Sequence, residues 1–309
     1  MTQFVTGWTD YPLNNTWLTI GNFDGVHLGH QALLNGLKSR AEGHQGSSGV
    51  LTFWPHPRVM LGQISEPFLL TTQEEKQRQL QKAGVDLVVT LPFDQEMADM
   101  KAEAFLDQVV VNLQPAGLLL GPGSRLGRHR QADFSFIRNF FLSKGISCET
   151  FPPFMLGGEV VSSNRIRACL MEGRMSDAAM LLGRPFSLQG EIQPGRQVGR
   201  KLGFPTANFY PDPLQLLPRF GVYAVRVLLE DQVLMGVTNI GIRPTFESGA
   251  MPNVETLILD FDDRIYYEIL RIELLHFLRP ERRFERVEDL IAQIKDDETQ
   301  TRRIFQNGS

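Results

Sequence analysis

The chain has 309 residues, 42% of them apolar and 21% charged, with a formal net charge of −4. Single cores stop growing near ~250–300 residues, so this length calls for two domains. The acid excess argues against a general nucleic-acid binder, and no run approaches the ~18 apolar residues of a membrane-spanning helix; neither nucleic acid nor membrane is an expected partner.

In chain order, the opening "MTQFVTGWTDYP" has neither a basic n-region nor an apolar h-region, and a cytoplasmic protein is expected. The runs "WLTIG" (17–21), "GVLTF" (49–53), "VDLVVT" (85–90) and "GLLLG" (117–121) read as buried strands. Between them "HLGHQALLNGLKSRAEG", "TTQEEKQRQLQKAG" and "KAEAFLDQVVVNLQ" carry helical patterns, the second opening on a capping box at Thr72 and Glu75. Strand and helix in alternation predict an α/β domain with a parallel sheet over residues 1–182. From residue 183 the texture changes. Short runs rich in Val, Ile, Leu and aromatics, from "FSLQGEI" to "YYEILRIELLHFL", predict a mainly β barrel or sandwich over 183–309, closed by the amphipathic helix "RVEDLIAQIKDDETQTRRIF". Cys148 and Cys169 lack metal-ligand spacing and are expected to be reduced packing residues.

The densest chemistry lies in "TIGNFDGVHLGHQALL" (19–34). A strand that ends at Gly21 and turns through Asp24-Gly25 sets a helix N-terminus at the carboxyl edge of a parallel sheet, where free N–H groups and the helix dipole favour an anion. Gly29 leaves room for that anion, and His27 and His30, three apart, share one helical face. Further on, "VSSNRIR" offers Ser162 and Ser163 as helix caps and hydroxyl donors, with Arg165 and Arg167 as cations near the same helix start. By themselves these residues fit an ordinary capped helix equally well. The glycines of "GLLLGPGSRLG", at 121, 123 and 127, are wrongly spaced for a dinucleotide fingerprint, and no apolar helix follows them.

The second half contains no G-x-x-x-x-G-K-[ST], so a kinase here is not a P-loop enzyme. "GRQVGRKLGFPTANF" supplies Gly195, Gly199 and Gly203, cations at Arg196, Arg200 and Lys201, and then Pro205-Thr206-Ala207-Asn208. A basic loop followed by oxygen donors suits a nucleotide with Mg²⁺; a turn with side-chain caps fits the same letters. In "VETLILDF", alternation sets Glu255 on one strand face with Leu257, Leu259 and Phe261. A carboxylate on an apolar face is unfavourable unless it is used or paired, which suits a general base; an edge-strand glutamate reaching water is the other reading.

Taken together, "GNFDGVHLGH", "TFWPHP" (52–57), "VSSNRIR" (161–167), "GRKLGFPTANF" (199–209), "GVYAV" (221–225), "GVTNIGIRPTF" (236–246) and "VETLILDF" (254–261) resemble, in order and over nearly the whole chain, the bacterial bifunctional riboflavin kinase/FAD synthetases. The resemblance implies a Rossmann-like nucleotidyltransferase domain with an HxGH motif, acting as FMN adenylyltransferase, followed by a riboflavin kinase barrel. Riboflavin, FMN and ATP are then the partners, ATP a co-substrate and Mg²⁺ the cofactor. It further implies His27, His30, Arg167 and Glu255 as catalytic residues. Gly21, Phe23, Asp24, Gly29, Ser162, Ser163 and Arg165 are implied at one ATP site, Gly199, Lys201 and Gly203 at the other, and Thr206 and Asn208 as metal ligands. Arg279 and Phe284 of "FLRPERRF" also fit the family and are assigned to packing around the ligand.

Two departures stand out. Gly123, Ser124 and Leu126 occupy positions where the family usually shows an Asp and two aromatics, and Asn164 replaces a usual Thr. An aromatic beside a flavin ring contributes ~0.5–1.5 kcal/mol beyond its buried area. Arg125, Arg128 and Arg130 either compensate through phosphate contacts or form a solvated loop. Hence a second reading, a riboflavin kinase whose N-terminal module has weak or lost adenylyltransferase activity, and a third, a flavin-binding regulatory protein with neither activity.

Overall fold

Strands buried at nearly every position form where a sheet is covered on both faces, and the four runs of the first half meet that condition. The structure, a computed structural model, describes residues 1–8, 15–64, 66–194, 199, 202–245 and 249–306. Its contacts divide it into two units, Met1–Glu66 with Thr71–Ser163, and Pro67–Leu70 with Asn164–Ser309.

The first unit holds β1(Gln3–Thr6), β2(Trp17–Ile20), α1(Leu28–Gly43), β3(Ser48–Trp54), α2(Pro57–Met60), α3(Gln73–Lys82), β4(Leu87–Pro92), α4(Gln95–Asp99), α5(Ala102–Leu113), β5(Gly117–Leu120), α6(Phe134–Ser143), β6(Ser147–Thr150) and the hairpin β7(Met155–Leu156) and β8(Glu159–Val160). Six strands pair in parallel in the order β1-β4-β3-β2-β5-β6. Alternate residues serve opposite faces. Trp17, Val50, Val88 and Leu119 pack with Leu34 and Leu37 of α1 and Leu80 of α3. Leu18, Leu51, Val89 and Leu118 pack with Phe105 and Leu106 of α5 and Ile137 and Phe141 of α6. Thr72 caps α3 by accepting the Glu75 N–H, as its sequence requires. The two edge strands β1 and β6 escape the apolar signal because most of their residues are exposed or half-buried. From β2 the chain runs outward to β3 and β4, then returns to β5 on the other side. That reversal opens a crevice at the carboxyl ends of β2 and β5, bordered by the turn after β2 and by the loop 121–127.

The second unit begins with α7(Ser163–Glu172), whose first residue belongs to the other unit, and α8(Met175–Leu182), followed by β9(Phe186–Glu191), β10(Thr206–Phe209), β11(Gly221–Leu229), β12(Gln232–Thr245), β13(Gly249–Ile258), β14(Ile269–Arg279) and α9(Val287–Gln306). The antiparallel order is β10-β13-β12-β11-β14-β9, and a bridge from Gln193, just past β9, to Asn208 of β10 closes the sheet into a barrel. Tyr223, Val225, Ile240, Val254 and Phe209 are fully buried along alternate positions and fill the inside, where the hydroxyls of Thr238 and Thr256 satisfy each other at 2.9 Å. The opposite face carries Val222, Val237, Leu257 and Leu259, against which Ile294 of α9 packs. Among the described residues no helix is long and apolar enough to cross a membrane.

Helix α9 is held to β14 by a bidentate pair: Arg279 Nε and Nη2 donate to the Asp297 carboxylate at 3.0 and 2.7 Å. Asp297 is 1% exposed and the Arg279 side chain 18%, so removing the carboxylate would leave a largely enclosed cation without its counter-charge. Asp297→Ala is expected to destabilise this unit by about 3–5 kcal/mol in urea denaturation, whereas Arg302→Ala, which breaks an exposed pair with Asp260, should shift the midpoint far less.

Two candidate active sites

In the first unit the turn after β2 is tied down from below. The Asp24 carboxylate accepts the Thr71 N–H at 3.2 Å, and the Thr71 hydroxyl accepts the Gly25 N–H, also at 3.2 Å. Ser163 donates its hydroxyl to the Asp24 carbonyl at 2.9 Å, so that oxygen serves the turn, while Ser162 stands just ahead of α7. Phe23 is buried with a positive φ of 51°, and Gly21 abuts its ring. His27 is the N-cap of α1: its Nδ1 accepts the His30 N–H at 3.3 Å. A ring nitrogen that accepts carries no proton, so in the neutral ring the proton sits on Nε2. The His27 and His30 rings stack at 3.7 Å and 14°, and Phe23 lies 5.0 Å from His30. Burial, and then the neighbouring His27, hold His30 well below the usual histidine pKa, so it is neutral at physiological pH. Its Nδ1 is buried and meets no hydrogen-bond partner among the described residues. At Gly29 a second constraint applies. A Cβ there would lie 3.1 Å from the His27 ring and 3.3 Å from the Val161 carbonyl, so the missing side chain makes room for the imidazole.

In the second unit Arg165 is half-buried on α7, and Arg167 is anchored. Its Nε donates to the Phe68 carbonyl at 2.9 Å, its Nη1 to Asn164 Oδ1 at 3.0 Å, and its guanidinium lies 3.5 Å from the Phe68 ring centroid. Asn164 thus orients an arginine. In the barrel, register brings the expected residues together: Glu255 of β13 faces Asn208 of β10 on one side and Asn239 of β12 on the other. Thr206, two residues from Asn208, shares its face. Asn208 Nδ2 donates to the Thr206 carbonyl and hydroxyl at 3.0 and 3.2 Å, while its Oδ1 is buried without a partner among the described residues. Asn253 donates to Glu255 Oε1 at 2.8 Å. A cavity of about 90 Å³ opens beside Pro205, Thr206 and Asn208 and runs to Ile258, Phe261 and Tyr266. Gly199 accepts the Leu202 and Phe204 N–H groups, and Gly203 has a φ of 86°. Lys201, Arg196 and Arg200 lie outside the described residues.

The family models for FAD synthetase and riboflavin kinase match residues 11–165 and 182–305. A bifunctional riboflavin kinase/FMN adenylyltransferase of Escherichia coli (strain K12) is 37% identical over 296 residues, 95% of this chain and 94% of that one. The protein of the same name in Bacillus subtilis (strain 168) is 32% identical, over 94% of this chain and 92% of its own. The chain belongs to the bifunctional riboflavin kinase/FMN adenylyltransferase family. It phosphorylates riboflavin to FMN and adenylylates FMN to FAD with ATP as co-substrate. A solved structure of a macrolide-efflux protein from Streptococcus pneumoniae shares the fold, with a TM-score of 0.86 and 26% identity over 97% of this chain and 98% of that one.

Within this family the altered loop after β5 is compact. Ser124 donates its hydroxyl to the Gly121 carbonyl at 2.8 Å, and Leu126 packs on the sheet core. Leu126 is thus a half-buried residue against the core, with no ring to offer a flavin. Arg279, assigned from sequence to ligand packing, instead binds Asp297, with the Phe284 ring 5.9 Å from its guanidinium. Thr71, Asn239 and Asn253 were not singled out from sequence; a threonine ahead of a capping threonine and asparagines on mixed strands carry no periodic signal. Because Gly29 makes room for His27, Gly29→Ala is expected to slow FAD formation from FMN about tenfold or more, by displacing a group from its working position, with FMN formation unchanged in a two-product assay.

Proposed function

We propose that the two reactions use separate sites, with the adenylyltransferase in residues 1–182 and the kinase in 183–309 of a cytoplasmic enzyme. Among the described residues, unpartnered buried polar atoms in each site carry the reading: His30 Nδ1 at the start of α1, and Asn208 Oδ1 with Asn253 Oδ1 beside Glu255. Each is a buried group that a substrate or its cation satisfies.

For adenylyl transfer, the backbone of the turn from Gly21 through Phe23 and Asp24 to Gly29 receives the ATP phosphates. The phosphate oxygen of FMN attacks the α-phosphorus, and His27 and His30, the latter as a neutral imidazole, donate to the oxygens that gain charge while pyrophosphate leaves. The family resemblance supports Ser162, Ser163, Arg165 and Arg167 as further donors to the phosphates, with Arg167 answering the charge on pyrophosphate. Catalysis here is positioning and electrostatics, with no covalent intermediate.

For the kinase, Gly199, Lys201 and Gly203 approach the nucleotide, and Thr206 and Asn208 would hold Mg²⁺. The donor set fits, because Mg²⁺ takes oxygen ligands and the Asn208 amide oxygen is unclaimed. Bound there, the ion would shield the triphosphate's charge. Glu255 takes the proton from the ribityl hydroxyl as that oxygen attacks the γ-phosphorus and ADP departs. Asn208 and Asn239, opposite Glu255 on both neighbouring strands, give the carboxylate a polar flank on an otherwise apolar face.

Purified protein with riboflavin, ATP and Mg²⁺, resolved into riboflavin, FMN and FAD over time, tests this. Glu255→Gln should lower FMN formation by about 10²–10⁴-fold and spare conversion of supplied FMN to FAD. His27→Ala with His30→Ala should do the reverse. Equal loss of both activities in either variant contradicts separate sites.

A further inference from the structure

Asn253 stands two residues before Glu255 on β13, on the same strand face, and is 4% exposed where Glu255 is half-buried. Its Nδ2 donates to Glu255 Oε1 at 2.8 Å. An ionised carboxylate only accepts, so the amide must turn its nitrogen to Glu255 and its oxygen away. In the free protein that oxygen is buried and meets no partner among the described residues. A buried acceptor left unpaired is unfavourable, and a leucine of nearly the same shape would avoid it. An asparagine kept only for the fold gains by satisfying both ends of its amide; this one satisfies the end that faces Glu255.

Register explains why the bond falls to Asn253. Asn208 and Asn239 flank Glu255 on the neighbouring strands, yet Asn208 gives its Nδ2 to Thr206, and Asn239 gives its own to Glu281 Oε1 at 2.9 Å. Opposite Asn253 on β12 is Gly241, which has no side chain to compete; a Cβ there would collide with the Glu281 carboxylate. Among the described asparagines around Glu255, Asn253 is thus the one that holds it. A glutamate side chain has several rotatable bonds, and a base must lie within hydrogen-bond reach of the proton it removes. The charge-assisted bond fixes Oε1 whichever groups the carboxylate meets elsewhere. We propose that Asn253 is a positioning residue for riboflavin phosphorylation: its amide nitrogen holds the Glu255 carboxylate in the pose from which it takes the ribityl proton. The proposal rests on Glu255 being the base of the kinase.

The test compares Asn253→Leu with the unmodified chain in riboflavin phosphorylation at saturating riboflavin. The kcat for FMN formation should fall about tenfold to a hundredfold, while KM for ATP and the conversion of supplied FMN to FAD stay as they were. The urea midpoint should hold or rise, because the substitution removes an unsatisfied buried acceptor from the free protein. A lowered midpoint would mark an asparagine kept for the fold and overturn the proposal. In a Glu255→Gln background the same substitution should change the residual rate by less than about twofold, since a residue that acts through Glu255 has nothing further to lose. Asn253→Asp, near in size but without the donor, should lose kcat as well, and decides the matter if Asn253→Leu does not fold. A normal kcat in either variant, a loss that multiplies fully onto that of Glu255→Gln, or a rise in KM for ATP with kcat intact overturns the proposal. FMN formation at the ordinary rate in Glu255→Gln alone would instead overturn the assignment of the base on which it rests.

Discussion

The bond between the Thr71 N–H and the Asp24 carboxylate closes the turn on which the chemistry proposed for the first unit depends. With that carboxylate held inward, Gly25 is anchored to the Thr71 hydroxyl, the chain reaches His27 in an extended conformation, and His27 can cap α1 through Nδ1. Capping fixes the tautomer, and stacking fixes the ring of His30 beside it. Each step constrains the next, so the imidazoles stand ready before substrate arrives and little reorganisation is left for the reaction.

On the proposed assignment, the two units solve one problem, the reception of a polyanion, with different backbones. In the α/β unit the free N–H groups of a helix start do the work, and side chains aim and tune it. An antiparallel barrel has no comparable dipole, so the second unit relies on side-chain oxygens placed by strand register. Neighbours across a ladder are set by pairing, and a slip of one residue would send Glu255, Asn208 and Asn239 to the opposite face together.

Legibility in the sequence followed the strength of each residue's periodic signal. Strands β2 to β5 declare themselves as continuous apolar runs, and Glu255 stands out because it interrupts an apolar face that the structure confirms at Leu257 and Leu259. The edge strands β1 and β6 and the polar strand β10 are hidden, since pairing rather than hydrophobicity makes them strands. Side-chain partnerships across long separations were equally hidden. Arg279 finds its carboxylate on α9, Leu126 packs against the core, and Lys76 looks like a solvated helix residue although Leu80, four positions on, marks the buried stripe it shares.

Asn208 carries a double assignment. Its backbone carbonyl accepts the Gln193 N–H at 2.8 Å and so fastens the seam where the barrel's first strand meets its last. Its side-chain oxygen, from the same residue, is left open to a ligand. If Asn208 binds as proposed, mechanical closure and ligand capture are welded into one position: any loosening of the seam would move the captured species, and whatever grips the amide also clasps the barrel shut.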